Sequence, residues 1–147
     1  MTDRINMTHG GGGRAMADLI RDVFQKHLAN PILDRGDDAG LFAVQNGRMV
    51  MSTDGHVIAP LFFPGGDIGA LSVHGTVNDL AMMGARPLYL TAGFILEEGF
   101  PRADLDRIVQ SMAQAANAAG VQVISGDTKV VERGKGDGVF ITTTGIG

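Results

Sequence analysis

Four stretches of the 147-residue chain set acids beside glycine or small polar residues: Gly36-Asp37-Asp38-Ala39, Ser52-Thr53-Asp54-Gly55, Asn78-Asp79 and Gly126-Asp127-Thr128. Hard cations such as magnesium take oxygen ligands, with one or two carboxylates from the protein and the remainder from water and substrate phosphate. Aspartates at strand ends and loop starts suit that task better than general acid–base work. Asp37, Asp38, Asp54, Asp79 and Asp127 are therefore candidate metal ligands. Each has a plainer reading: Asp37, Asp38 and Asp54 as turn residues, and the nearby Asp67 as a helix cap. Asn78-Asp79 falls in mid-helix, where neither reading applies.

Arg86, Lys129, Arg133 and Lys135 are candidate phosphate partners. Lys129 follows Gly126-Asp127-Thr128 at an expected strand end and is the best placed, while Arg133 and Lys135 also fit a solvated loop. Gly10 to Gly13 are four consecutive glycines. They fit either a flexible leader or a loop whose amides wrap phosphates. No Lys-Ser or Lys-Thr follows them, so this is not a Walker A loop. The four histidines lack metal-ligand spacing, and His74 reads as a packed or capping residue. Met49, Met51, Met82, Met83 and Met112 read as core.

Periodicity supplies the elements that must position these groups. Met16, Leu19, Ile20, Val23 and Phe24 mark a helix over 14–28. Strands are expected at 41–44 and 48–53, joined as a hairpin by the Asn46-Gly47 turn, which would bring Asp37, Asp38 and Asp54 towards one edge. A second helix runs from Asp67 to about Met83, burying Ile68, Leu71, Val77, Leu80 and Ala81. A strand follows over 88–96. Leu105, Ile108, Val109, Met112, Ala113 and Ala116 mark a third helix over 101–119, between Pro101 and Gly120. Strands close the chain at 121–125 and from Val139. This order predicts an α/β domain with helices packed on a mixed sheet. Threonines and glycines on the last strands leave one sheet face thinly covered, and a second copy of the sheet is a natural way to bury it.

Composition narrows the function classes. Apolar residues make up 44% and charged residues 19%, with a net charge of −4. A mildly acidic chain without a basic run is a poor partner for nucleic acid or an anionic membrane. There is no cysteine in the sequence, which removes disulfides, thiolate metal sites and a cysteine nucleophile from these residues. No secretory h-region or membrane-length apolar run is visible, in keeping with a cytoplasmic location. Physical reading stops at a self-associating α/β domain with a magnesium–phosphate site.

The specific words of the sequence go further. Gly36-Asp-Asp-Ala, Ser52-Thr-Asp, Val77-Asn-Asp-Leu-Ala-Met-Met-Gly-Ala and Gly126-Asp-Thr together resemble the N-terminal domain of the aminoimidazole ribonucleotide synthetase superfamily. Three longer runs narrow this: Pro60-Leu-Phe-Phe-Pro-Gly-Gly-Asp-Ile-Gly, Arg86-Pro-Leu-Tyr-Leu-Thr-Ala-Gly-Phe-Ile-Leu-Glu-Glu-Gly and Gly126-Asp-Thr-Lys-Val-Val-Glu-Arg-Gly-Lys-Gly-Asp-Gly. They resemble the carbamoyl dehydratases of hydrogenase maturation, and the match runs from about His9 to Gly147.

That resemblance implies ATP and magnesium as cofactors, and a homodimer formed through the sheets. It implies ATP-dependent dehydration of a thiocarboxamide on a C-terminal cysteine to a thiocyanate, the source of cyanide ligands for nickel–iron hydrogenase. The implied partners are a carbamoyltransferase and a scaffold complex, with no nucleic acid or membrane. By motif position, Asp37, Asp38, Asp54, Asn78, Asp79 and Asp127 would serve magnesium and phosphates, with Thr128 beside them. Gly10, Gly11, Gly12 and Gly13 would close on the nucleotide. Lys129 would assist proton removal or balance charge near the carbamoyl group. Residues 1–13 are expected to be a flexible leader and 14–147 the ATP-binding, dimerising domain. Family members are about twice this length and carry a second domain with the cysteine, so the expectation is an N-terminal part that does not turn over alone. Other superfamily enzymes are the nearest alternatives: a purine synthetase, or a selenophosphate synthetase, which usually carries a Cys or selenocysteine near its glycine-rich region. A non-catalytic dimerisation and docking module is the other alternative.

Overall fold

The structure is a computed structural model that describes residues 3–44 and 46–147. Its frame is a four-stranded sheet in the order β1-β6-β4-β5. The strands are β1 (Met51–His56), β4 (Tyr89–Glu97), β5 (Gln122–Val131) and β6 (Val139–Ile146). Two short strands, β2 (Phe62–Phe63) and β3 (Gly66–Asp67), pair with each other apart from it. β4 and β5 run parallel, and β6 runs antiparallel to both β4 and β1. The expected mixed α/β sheet is present. The expected hairpin is not: 41–44 form no strand, and β1 pairs with β6 some ninety positions along the chain. A local turn signal such as Asn46-Gly47 cannot identify a partner that tertiary packing supplies.

Three helices cover one face. α1 runs over 13–28 as Gly13–Leu19, a π-helical segment Ile20–Gln25 and a last turn Lys26–Leu28. α2 is Ile68–Met82 and α3 is Arg102–Ala119. The amphipathic stripes predicted for α1 and α3 supply the core, except that Ile20 of α1 is exposed. Leu19, Val23 and Phe24 of α1 are buried, as are Leu105, Ile108, Val109 and Met112 of α3. Each such side chain contributes roughly 1.5–3 kcal/mol on burial. They pack on Leu90, Ala92, Phe94 and Leu96 of β4, and the Phe24 and Phe94 rings meet edge to face at 4.9 Å.

α2 departs from its predicted stripe. Ile68 and Leu80 are buried, but the helix also buries Gly69, Ser72, Val73 and Thr76, while Leu71, His74 and Ala81 are exposed. The buried side is therefore small and polar as well as apolar, a composition that hydrophobic periodicity underweights. Asp67 caps α2 as expected, accepting from the Gly69 and Ala70 amides at 2.8 and 3.0 Å. A Cβ at position 69 would stand 2.1 Å from the Ile108 carbonyl oxygen, so Gly69 permits the close crossing of α2 and α3. Of the methionines read as core, only Met112 is buried; Met49, Met51, Met82 and Met83 are exposed.

The description of a flexible leader does not hold for residues 3–10. Ile5 is buried and exchanges backbone hydrogen bonds with Phe100 and Gly99, and Arg4 bridges to Pro101. Asn6 and His9 form a reciprocal cap around the short turn Met7–His9. One buried isoleucine in a polar stretch gives no periodic signal. Residues 1 and 2 lie outside the described residues.

The sheet face opposite the helices carries polar and small side chains in rows. Register places Thr53, Thr144, Thr91 and Ser125 side by side across the four strands, and the Thr53 and Thr144 hydroxyls are 2.8 Å apart. The next row is Gly55, Thr142, Gly93 and Asp127.

Candidate functional site

The orientation of Asp127 depends on a fault in β5. Leu90 pairs with Val123, but Thr91 pairs with Ser125, so Ile124 is an extra residue in the ladder. A bulge of this kind reverses the alternation beyond it. Val123, before the bulge, and Thr128, beyond it, both lie in the buried layer, whereas Asp127 and Lys129 are exposed on the helix-free face. The Gly126-Asp127-Thr128-Lys129 motif was expected to open a loop; it lies inside β5. Asp127 Oδ1 accepts from the Thr128 amide at 2.9 Å and from Lys129 Nζ at 2.8 Å. Lys129 first, then the Thr128 amide, hold the Asp127 carboxyl below its ordinary range. Both bonds fall on Oδ1, so Oδ2 could meet a cation without breaking either.

Asp37 and Asp38 are brought to the same place by the segment after α1. They line one cavity of about 450 Å³ together with Ile20, Ser125, Gly126 and Asp127. A second, apolar cavity of about 240 Å³ continues beneath α1 between Phe24, Leu28, Phe94 and Val123. The two share Ile20, Phe24, Leu33, Ser125, Gly126 and Asp127. The glycine loop approaches from the far end of β5: a Cβ on Gly10 would stand 2.7 Å from the Val130 nitrogen. Gly12 and Gly13 take φ of 80° and 77°, values that L side chains resist.

Asp54, Asn78 and Asp79 are not at this cavity. Asp54 is on β1, the opposite edge strand, and Asp79 accepts from Ser52 Oγ at 2.8 Å. Asn78 and Asp79 are exposed, so the pair that looked anomalous in mid-helix belongs to the open side of α2. Beneath Asp54 lies a buried polar chain. Thr76 Oγ1 is 3.5 Å from Asp54 Oδ2 and 2.7 Å from Thr143 Oγ1. Thr143 donates to the Ser72 carbonyl at 2.8 Å, and His56 Nε2 lies 3.1 Å from the same hydroxyl. With its own proton given to Ser72, Thr143 must accept from the other two. His56 therefore carries a proton on Nε2, and burial pushes its imidazole below the ordinary value against the opposing charge of Asp54.

Sequence reasoning missed Ser52, Thr76, Thr143, His56 and Asn30. Buried hydroxyls give no periodic signal. The Thr142-Thr143-Thr144 run was noted only as thin sheet cover.

The donors fit a hard cation in kind: they are exposed carboxylate oxygens, without nitrogen or sulfur competitors. They do not form a closed protein cage, and no cluster of three or more acids and histidines is assembled among the described residues. That arrangement suits magnesium, which keeps water and phosphate in its shell. No helix among the described residues is long and apolar enough to cross a membrane.

An α/β domain with an open sheet face and acids at both sheet edges is the class defined by these features. The family described as AIR synthase related protein, N-terminal domain, matches residues 36–147, and the chain belongs to it. It is 67% identical over 143 residues to the carbamoyl dehydratase HypE of Azotobacter vinelandii, covering 97% of this chain and 42% of that protein. Among solved structures, hydrogenase maturation protein HypE in complex with ATP superposes with a TM-score of 0.94 at 55% identity, over 97% of this chain and 42% of the other. HypE in a HypE–HypF complex gives a TM-score of 0.68 at 54% identity, over 88% and 41%. The chain thus spans about two fifths of the length of these relatives.

Proposed function

We propose that this chain is the nucleotide-binding and dimerising part of a cytoplasmic, ATP-dependent carbamoyl dehydratase of nickel–iron hydrogenase maturation. The observation that carries the reading is the ATP-bound relative, alike over 97% of this chain, taken with the pair of joined cavities along β5. One is apolar and suits a base; the other is lined by Asp37, Asp38 and Asp127 and suits a cation with phosphates. When bound, ATP with magnesium supplies an activated phosphoryl group, which goes to the oxygen of a cysteine-bound thiocarboxamide; departure of phosphate leaves the thiocyanate that provides cyanide. In this reading the residues of the chain act by holding and orienting. Asp37, Asp38 and Asp127 take the cation. The amides of Gly10 to Gly13 approach the phosphates, with Thr128 alongside. Lys129 balances charge or accepts a proton from the carbamoyl nitrogen.

The two remaining acids and Asn78 enter through a homodimer. Opposite edges of a four-stranded sheet are roughly 14 Å apart, too far for one cation to touch both. A two-fold axis parallel to the strands, with the helix-free faces together, sets Asp54, Asn78 and Asp79 beside the β5 edge of the second copy. Such a symmetric pairing also covers the hydroxyl rows. Partners in this reading are a carbamoyltransferase, as the HypE–HypF complex of a relative suggests, and a scaffold complex that receives the cyano group.

The test uses the complete protein with ATP, magnesium and a carbamoyl donor system. Mass spectrometry is expected to show loss of water from the carbamoylated terminal cysteine. Persistence of the carbamoylated form with ATP consumed or untouched would overturn the reading.

A further inference from the structure

The segment that carries Asp37 and Asp38 is fixed to β5 at two points, and both lie at the bulge that directs Asp127. The first is Asn30, which is buried and uses its whole amide. Its Nδ2 donates to the Leu28 carbonyl at 3.0 Å and to the Val123 carbonyl at 2.8 Å. Its Oδ1 accepts from the Ile32 and Leu33 amides at 3.1 and 3.0 Å. One side chain thereby ends α1, starts the turn Leu33–Arg35, and ties both to the residue before the bulge.

The second point is Gly40. A Cβ there would stand 2.8 Å from Ile124 Cδ1, 2.9 Å from the Ile124 carbonyl oxygen and 3.0 Å from Ile124 Cγ1. Backbone at Gly40 therefore rests directly on the bulged residue, and no larger residue fits without moving one of the two. Between these points lie only nine residues, with Asp37 and Asp38 among them.

We infer that Asn30 and Gly40 are positioning residues for the proposed cation site: they clamp the Asp37–Asp38 loop to the Val123–Ile124 bulge, so that the loop acids and Asp127 keep a fixed spacing. The inference rests on the proposed use of these acids by magnesium and ATP. Its physical basis is general. Exposed carboxylates hold a metal well only when something behind them fixes their geometry, and loss of such support typically costs 10–100-fold in metal affinity. Asp37 and Asp38 are themselves exposed, so the support must come from the ends of their loop.

The test compares the protein with its Gly40→Ala and Asn30→Asp variants. Gly40→Ala adds the disallowed methyl group. Asn30→Asp keeps the acceptor for Ile32 and Leu33 but removes both donors and sets a carboxylate oxygen against two carbonyls. Two measurements are made on each: hydrogen exchange of residues 33–40 without ligand, and the magnesium concentration giving half-maximal ATP binding. The clamp predicts faster exchange in 33–40 with unchanged exchange in α3, and a magnesium midpoint raised roughly tenfold or more. A purely structural role would spread exchange over the core without moving the magnesium midpoint. Unchanged exchange in 33–40 in the folded Gly40→Ala variant would overturn the clamp, as would an unchanged magnesium midpoint. Absence of magnesium-dependent ATP binding in the unmodified protein would overturn the nucleotide reading instead, and the exchange measurement would still decide whether the clamp exists.

Discussion

Asp54 and Asp127 stand on the two outer strands of one sheet, β1 and β5, with β6 and β4 between them. They also face opposite ways. Asp54 lies above the Thr76–Thr143–His56 chain on the helix side, whereas the Ile124 bulge turns Asp127 to the open face. A single copy of the chain therefore keeps its two sets of acids apart. This separation gives the proposed dimer a role in ligand binding beyond covering a sheet.

Mixing two inactive proteins tests that role. Asp54→Asn and Asp127→Asn homodimers are both expected to bind magnesium–ATP weakly. After subunit exchange, heterodimers carry one intact site formed by Asp54 of one copy and Asp127 of the other. Binding titration should recover roughly a quarter of all sites in an equal mixture. No recovery, with exchange verified by mass spectrometry, would place each site within a single copy.

Thr143→Val tests the buried hydroxyl chain. Valine keeps the shape but removes the acceptor for Thr76 and His56 and the donor to the Ser72 carbonyl. A buried donor left without a partner costs about 1–3 kcal/mol. Urea unfolding should show a loss of about that size with an unchanged slope. A variant as stable as the parent would mean that the chain is replaced by water or repacking.

Gly69→Ala tests the helix crossing. The added methyl group meets the Ile108 backbone, so α2 and α3 must separate along their buried faces. Overpacking of this kind costs about 1–3 kcal/mol, in a helix where alanine is otherwise favoured over glycine by about 1 kcal/mol. A lowered melting temperature is expected, and a raised one would contradict the close crossing.

Glu97 gives a prediction in pH. Its carboxylate accepts from the Gly134 and Gly138 amides, which hold its carboxyl below the ordinary range, with a smaller contribution from Arg133. A depressed value in the fold means that the interaction stabilises the 132–138 loop at and above the ordinary carboxylate pKa, and is lost as pH falls through the folded value. Nuclear magnetic resonance titration should place the Glu97 midpoint below that of an ordinary glutamate, with the Gly134 and Gly138 amide shifts following the same curve. A midpoint at or above the ordinary value would show that the loop is held otherwise.

The legible parts of the sequence were those written locally. The α1 and α3 stripes and the Asp67 cap follow from spacing along one element and, apart from the exposed Ile20, they stand where expected. Strand pairing was not legible at β1, because its partner is β6 and the Asn46-Gly47 turn signal pointed to a neighbour in sequence. The acid motifs were found, but not their division between two edges, since one extra residue at Ile124 decides which way Asp127 faces. Asn30 escaped for a similar reason: Asn-Pro reads as a helix stop, and only the folded chain shows its amide reaching Val123.

In the proposed function, these residues hold a nucleotide through a cation. The direct measurement is calorimetric titration of ATP into the 147-residue protein with and without magnesium, alongside the Asp37→Asn/Asp38→Asn double variant. Binding that requires magnesium and is lost in the folded double variant is the predicted result. A folded protein that takes up no ATP in the presence of magnesium, or a double variant that binds as well as the parent, would contradict it.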